Sequence, residues 1–164
     1  MSKRSGLEKL ATEHAESAKM NVQYIPVQEK DSSFFVHVHH VAYRKIIEEM
    51  FGWDECFQDK QTNQAFDLGG INVIKLQNEK VGIVGWEDRS DYLWLKDLYV
   101  LPEYQGRGIG SRVLDTSIQK ARSFGKDIHL RTLRANICVK EWYERRGFIV
   151  DEITDIHWKM VMYT

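Results

Sequence analysis

The sequence predicts an α/β fold, a mixed β-sheet covered by helices. Two observations carry that expectation. The hydrophobic period changes along the chain, from helical spacing between Phe35 and Met50 to strand-like runs between Ile71 and Leu101, and back to helical spacing after Gly108. Breakers stand where those periods change: Gly52, Pro102, Gly125 and Gly147.

Taken in order, Asn21 to Val27 reads as a first strand. Asp31 or Ser32 is placed to cap a long helix through Met50, with Phe35, Val38, Ala42, Ile46 and Met50 on its apolar face and Gly52 ending it. Asp54 can cap a second helix to about Ala65. Ile71–Leu76 and Val81–Trp86 read as strands joined by a tight turn at Gln77, Asn78 and Glu79, and Tyr92–Leu101 as the next strand, ending at Pro102. Gly108–Phe124 is helical, with Ile109, Val113, Leu114, Ile118 and Ala121 as its apolar set. Ile128–Leu133 is a strand, Asn136 caps a helix ending at Gly147, and Phe148–Ile153 and His157–Tyr163 close the chain as strands. The order is β-α-α-β-β-β-α-β-α-β-β.

Residues 1–20 read as an N-terminal extension and 21–164 as one domain. Leu7, Leu10, Ala11, His14, Ala15 and Ala18 share a face if Ser5 to Met20 is helical; a loose extension is the equal alternative.

The chain has 164 residues, 43% hydrophobic and 29% charged, an ordinary globular composition. Its 23 basic and 24 acidic residues leave a net charge of −1, so no global basic field attracts nucleic acid or an anionic membrane. No apolar run approaches the ~20 residues that span a bilayer. The first 20 residues lack a secretory apolar core, and the two cysteines, Cys56 and Cys138, form no CxxC pair. A cytoplasmic location is the simplest expectation.

The richest segment is Asp97-Leu98-Tyr99-Val100-Leu101-Pro102-Glu103-Tyr104-Gln105-Gly106-Arg107-Gly108-Ile109-Gly110. It reads as a strand, a glycine-rich turn and a helix start. Three glycines in five residues let backbone approach a ligand, and the helix start offers free N–H groups and a positive dipole end to a phosphate. Arg107 can add a charge-assisted contact. A turn whose glycines serve only the turn is the plainer alternative. The segment lacks the Lys-Ser/Thr of a P-loop and the first glycine of a dinucleotide fingerprint.

Gln105-Gly106-Arg107-Gly108-Ile109-Gly110 resembles the Q/R-x-x-G-x-G/A acyl-CoA loop of the GNAT superfamily of N-acetyltransferases. Asn136 followed by Glu141-Trp142-Tyr143-Glu144-Arg145-Arg146-Gly147-Phe148 is similar to that family's N-x-x-A-x-x-x-Y-E-x-x-G-F, with Val139 in place of a small residue. The resemblance implies a mixed, mostly antiparallel sheet of six or seven strands flanked by helices. It implies an enzyme that moves an acetyl group from acetyl-CoA, as cosubstrate and without a metal, to a primary amine by direct attack in a ternary complex.

The resemblance also implies site roles. Leu98, Tyr99, Val100, the loop Gln105, Gly106, Arg107, Gly108, Ile109 and Gly110, and Asn136 and Tyr143 hold acetyl-CoA. The Leu98 N–H is the oxyanion donor and Tyr143 the general acid for the departing thiolate. Asn136 and Tyr143 are seven residues apart, two helical turns, and so share a face. For the base, Asp97 is the first candidate, ahead of Glu87, Asp88 or a water. Trp94 and Lys96 stand where some members carry a Glu. The run Leu95-Lys96-Asp97-Leu98-Tyr99-Val100 resembles the acidic strand of polyamine acetyltransferases, but with Lys96 replacing an acid, which argues against a polycation. A small metabolite, an antibiotic, a peptide N-terminus and a lysine side chain all remain as acceptors. A non-catalytic acyl-CoA-binding module is the rival reading, and a homodimer is compatible with either.

Among other candidates, His37, His39 and His40 cluster on the first long helix, where a half-solvated face is favoured over a metal site. Cys138, in the first turn of its helix, is a remote candidate for an acyl carrier. Trp86 and Trp94 are candidates for an acceptor wall or for plain core packing, and His157 for the acceptor pocket or a strand surface.

Overall fold

The computed structural model describes residues 21–164. The expected Ser5–Met20 helix lies outside the described residues. Seven strands form one sheet: β1 (Val22–Pro26), β2 (Ile71–Leu76), β3 (Glu79–Asp88), β4 (Tyr92–Val100), β5 (Asp127–Leu133), β6 (Ile149–Ile153) and β7 (His157–Met162), in spatial order β1-β2-β3-β4-β5-β7-β6. Neighbours run antiparallel except β4 and β5, which are parallel and joined through α3 (Ile109–Ser123). Helices α1 (Ser32–Phe51) and α2 (Glu55–Asp67) cover one face; α3 and α4 (Ile137–Glu144) cover the other. Among the described residues no helix is long and apolar enough to cross a membrane.

Two cores follow from that layering. Ile109, Val113, Leu114 and Ala121 of α3 bury against Ile74, Val84, Leu93, Leu95, Ile128 and Leu130 of the sheet. Phe35 and Val38 of α1 pack on Ile71, Ile83 and Leu101. Each fully buried side chain of this size contributes roughly 1.5–3 kcal/mol.

Two capping expectations are corrected. Asp31 does not cap α1 through its side chain. It is buried, accepts 2.9 Å from the Gln28 N–H and pairs with Lys80 at 2.6 Å, so its carboxylate is already used. The Lys80 ammonium holds its carboxyl below the usual range. Asn136 makes no side-chain cap for α4 either; it turns into the cleft described below. Asp54 does cap α2, accepting 2.8 Å from the Phe57 N–H.

One irregularity in β4 sets the orientation of everything near it. Gly85 pairs with Asp97 and the next residue, Trp86, with Leu95, which leaves Lys96 as an unpaired bulge. A bulge resets the two-residue alternation of a strand. Leu93 and Leu95 face α3; after the bulge, Lys96, Asp97 and Tyr99 face α1 while Leu98 and Val100 face α3. Glycines on β3 make room for this. A Cβ on Gly85 would lie 2.6 Å from Lys96 Cγ and 3.0 Å from Asp97 Oδ2, and one on Gly82 would lie 1.9 Å from the Tyr99 carbonyl oxygen.

At Gly82 the obstacle is backbone and cannot swing aside. Gly82→Ala should therefore destabilise the protein by about 3 kcal/mol, the upper range for an overpacked core. Urea unfolding of Gly82→Ala beside wild type checks this; a midpoint shift worth less than about 1 kcal/mol would show that β4 can retreat from β3 at little cost.

Candidate active site

The site begins where two strands part. β4 and β5 pair from Tyr92 opposite Asp127 to Leu95 opposite Leu130, and no further. Beyond that point β4 stays with β3 as far as Val100, and β5 stays with β7 as far as Leu133. The facing edges diverge into a wedge. The Leu101 N–H donates to Val81 on β3, so by the two-residue period Tyr99 also turns its backbone groups to β3. Leu98 and Val100 turn theirs into the wedge. The Val100 carbonyl accepts 2.8 Å from the Gln105 side-chain amide, which ties the loop to the strand end.

Two clefts open on opposite faces of the sheet and meet at this wedge. On the α3 side, a cleft of about 350 Å³ runs between the loop Tyr104–Ser111 and Trp142. On the α1 side, a cleft of about 390 Å³ is walled by Tyr43, Lys96, Asp97, Tyr99, Arg131 and His157. Leu98, Val100, Gln105, Val139 and Tyr143 line both. Tyr143, only 7% exposed, stands at the junction. Asn136 joins it in the α1-side cleft, as the seven-residue spacing anticipates.

The loop on the α3 side has the backbone its glycines allow. Gly106 and Gly108 take φ of 73° and 80°, in the left-handed region, and a Cβ at either would meet nothing within 4 Å. The first turn of the 15-residue α3 thus faces open space. Arg107 is not among the cleft residues. Its guanidinium donates 3.0 Å to the Glu103 carbonyl and lies 5.3 Å from the centre of the Tyr104 ring, on the outer side of the loop. Arg146, which likewise lines neither cleft, reaches the first turn of α3, where it donates to the Ser111 hydroxyl and stacks 5.0 Å from the Trp142 ring centre; Arg112 stands in the same turn. The place of Arg146 in the Arg-Arg-Gly-Phe run was the only sign of it in the sequence.

The α1-side cleft holds the titratable groups. Burial pushes the Asp97 carboxyl up, opposed by Lys96 and Arg131. Burial also raises the Tyr143 phenol, with Asp97 and Tyr99 adding to it. Tyr99 and Tyr43 are raised in the same way, their rings 5.2 Å apart. Lys96 donates 2.9 Å from Nζ to the Gly69 carbonyl. His157 lines the cleft and is held down by burial, then by Arg131 and Lys159. Sequence reading missed Tyr43 and Arg131, because α1 and β5 reach the site only through the fold.

Several candidates fall elsewhere. Glu87 pairs with Arg89 and Asp88 with Lys126, both outside the clefts, so neither is placed as a base. Trp86 packs under α3 and donates 2.9 Å to Ser117 Oγ; Trp94 lies by Arg89 and Tyr92. Neither forms an acceptor wall. Cys138 is exposed and lines neither cleft. His37 is exposed, whereas His40 sits 3.4 Å from Glu55 and 3.2 Å from Asp59 of α2, acids that no sequence spacing revealed. Glu55 already accepts from the Trp53 indole and forms an ion pair with Arg44.

A family model described as the acetyltransferase (GNAT) family matches residues 34–148. The chain is 35% identical over 66 residues to an uncharacterized N-acetyltransferase of Schizosaccharomyces pombe, covering 40% of this chain and 45% of that protein. It is 28% identical over 137 residues to a mycothiol acetyltransferase of Propionibacterium freudenreichii, covering 75% of this chain and 41% of that protein. The chain thus spans less than half the length of these two relatives. Among solved structures, the PaiA N-acetyltransferase of Thermoplasma acidophilum in complex with coenzyme A superposes with a TM-score of 0.71 at 15% identity, over 88% of this chain and all of that one.

His39 gives the cleft a pH signature. It shares a 3.0 Å hydrogen bond with Thr62, and burial, with His40 beside it, holds its pKa down from 6.5 to about 4. Between those values the unfolded chain takes up a proton that the folded chain refuses, so stability falls as pH drops through this window and levels off below it. The loss at pH 5 should be on the order of 1–2 kcal/mol. Urea midpoints at pH 7 and pH 5 should differ more for wild type than for His39→Gln; equal differences would show that His39 titrates normally.

Proposed function

The chain belongs to the GNAT acetyltransferase family, and from that premise we propose that it transfers the acetyl group of acetyl-CoA to a primary amine by direct attack in a ternary complex. The observation that carries this reading is the meeting of two clefts, one on each face of the sheet, at Tyr143 and the parted strands. A donor can then enter from the α3 side and an acceptor from the α1 side.

The donor side fits acetyl-CoA. The left-handed backbone at Gly106 and Gly108 leaves the first turn of α3 clear, and Arg146 adds a positive charge there, which suits a pyrophosphate. The wedge beyond Leu95 suits the pantetheine arm, since amide groups of the arm can satisfy the Leu98 carbonyl and the Val100 N–H. When bound, the thioester supplies the activated acetyl group.

The chain's own residues then divide the work. The Leu98 N–H, turned into the wedge, donates to the carbonyl oxygen as negative charge builds there. Asp97, on the acceptor face, takes the proton from the amine nitrogen as the N–C bond forms. Its raised pKa brings a carboxylate closer to the range where a base is effective. As the C–S bond breaks, Tyr143 gives its phenolic proton to the sulfur. A raised phenol pKa keeps that proton in place until the thiolate appears. Donor and acceptor meet without a covalent enzyme intermediate, in keeping with Cys138 lying outside both clefts.

Steady-state kinetics with a saturating amine test this. Tyr143→Phe should keep acetyl-CoA affinity and lose about a hundredfold in turnover, the usual contribution of a positioned general acid. Asp97→Asn should lose a comparable factor and remove the acid limb of the kcat/KM profile. Turnover within about twofold of wild type in Tyr143→Phe would make that side chain a packing residue only. Acetyl-CoA binding with no turnover on any amine would leave a non-catalytic acyl-CoA-binding module.

A further inference from the structure

We propose that the acceptor is an amine carrying its own anionic group, a carboxylate or a phosphate, and that Arg131 is the residue that receives it. The proposal rests on the acetyl-transfer reading and narrows its acceptor.

Arg131 is the first residue of β5 past the last pair with β4, as Lys96 is the first on the other strand. Two cations therefore flank the apex of the wedge, and both line the α1-side cleft. The titratable groups facing that cleft are Lys96, Asp97, Arg131, His39, His157 and the phenols of Tyr43, Tyr99 and Tyr143, which burial keeps protonated. The two imidazoles are held down by burial and are neutral near pH 7. Asp97 contributes the one carboxylate, so even with Asp97 ionised two cations face one anion. Positive charge is in excess in a cleft large enough for a small amine.

The two cations differ in what they have left to give. Lys96 spends one proton on the Gly69 carbonyl. Lys159, opposite Arg131 on β7, is paired with Glu152 at 2.7 Å. Arg131 has no ion pair among the described residues. A guanidinium presents its donors as a rigid fork that matches a carboxylate or phosphate in two parallel hydrogen bonds. Exposed on β5 at the wedge apex, it can hold an anion close to where the acceptor nitrogen must meet the thioester. The same charge does two further things. It lowers the pKa of a bound ammonium, which favours the neutral amine that attacks, and it repels a second ammonium, as a polyamine would bring.

Matched amines test the proposal, with saturating acetyl-CoA and free-thiol release as readout. Phenylalanine is compared with phenethylamine, O-phosphoethanolamine with ethanolamine, and spermidine is added as the polycation. In wild type, kcat/KM for at least one anionic member should exceed that of its uncharged partner about tenfold or more, the worth of a charge-assisted hydrogen bond; the pair that shows it tells carboxylate from phosphate. Arg131→Gln should abolish that preference by raising KM for the anionic amine. Calorimetric acetyl-CoA affinity should stay at the wild-type value, which shows that the variant is folded. Turnover that favours uncharged amines or spermidine, or a loss in Arg131→Gln that is equal for both members of a pair, would overturn the anionic acceptor while leaving acetyl transfer standing. Absence of turnover on every amine, with acetyl-CoA bound, would overturn the acetyl-transfer reading and this proposal with it.

Discussion

Between Leu95 and Lys96 on one strand, and Leu130 and Arg131 on its neighbour, a hydrogen-bonded ladder stops, and the site depends on that parting. A parallel pair in mid-sheet would ordinarily continue, because each unpaired N–H or C=O left without water or a partner costs free energy. Here each strand keeps its other neighbour: β4 is held by β3 as far as Val100, and β5 by β7 as far as Leu133. The sheet stays whole on both flanks while its middle opens. Backbone groups of Leu98 and Val100 that would have completed the ladder are left without a partner on β5, and the opening joins clefts on opposite faces at Tyr143.

The bulge at Lys96 makes the opening chemically useful. Without it, strict alternation from Leu95 would turn Asp97 toward α3 and Leu98 toward α1. With it, Asp97 and Tyr99 reach the α1-side cleft while Leu98 and Val100 face the loop that starts α3. Gly85 and Gly82 are the complement of that bulge on β3, since any side chain there would occupy the space of Lys96 or of the Tyr99 backbone. The facing of the cleft residues, the strand register and two strand glycines are thus one constraint seen from three sides.

Much of this was legible in the sequence, and the limits have physical causes. Periodicity and breakers gave the seven strands and four α-helices of the described residues within a few residues, because most of these elements bury one apolar face. The loop and the Tyr143 motif were readable because glycine spacing and helical phase are local properties. Side-chain roles that depend on partners far along the chain were not. Asp31 looked like a cap, but Lys80 takes its carboxylate. Arg107 looked like the phosphate contact, but the Glu103 carbonyl and the Tyr104 ring hold it outward, and Arg146 stands at the helix start. Glu87 and Asp88 looked available, yet their salt bridges lie away from the clefts. The bulge at Lys96 rests on the β3 register, which no local pattern carries.

The central claim is that the parted strands and the turn before α3 together form an acyl-CoA site. Calorimetric titration of acetyl-CoA into wild type and Gly108→Asp tests it most directly. A Cβ at Gly108 meets open space, and Asp is among the residues that adopt its left-handed backbone at a cost of roughly 1–2 kcal/mol, so the variant should keep its fold, while its carboxylate would face the pyrophosphate. The account predicts binding to wild type and an affinity at least about tenfold lower in the variant, given the strength of like-charge repulsion at close range. Equal affinity in a folded Gly108→Asp, or no binding to wild type, would contradict it.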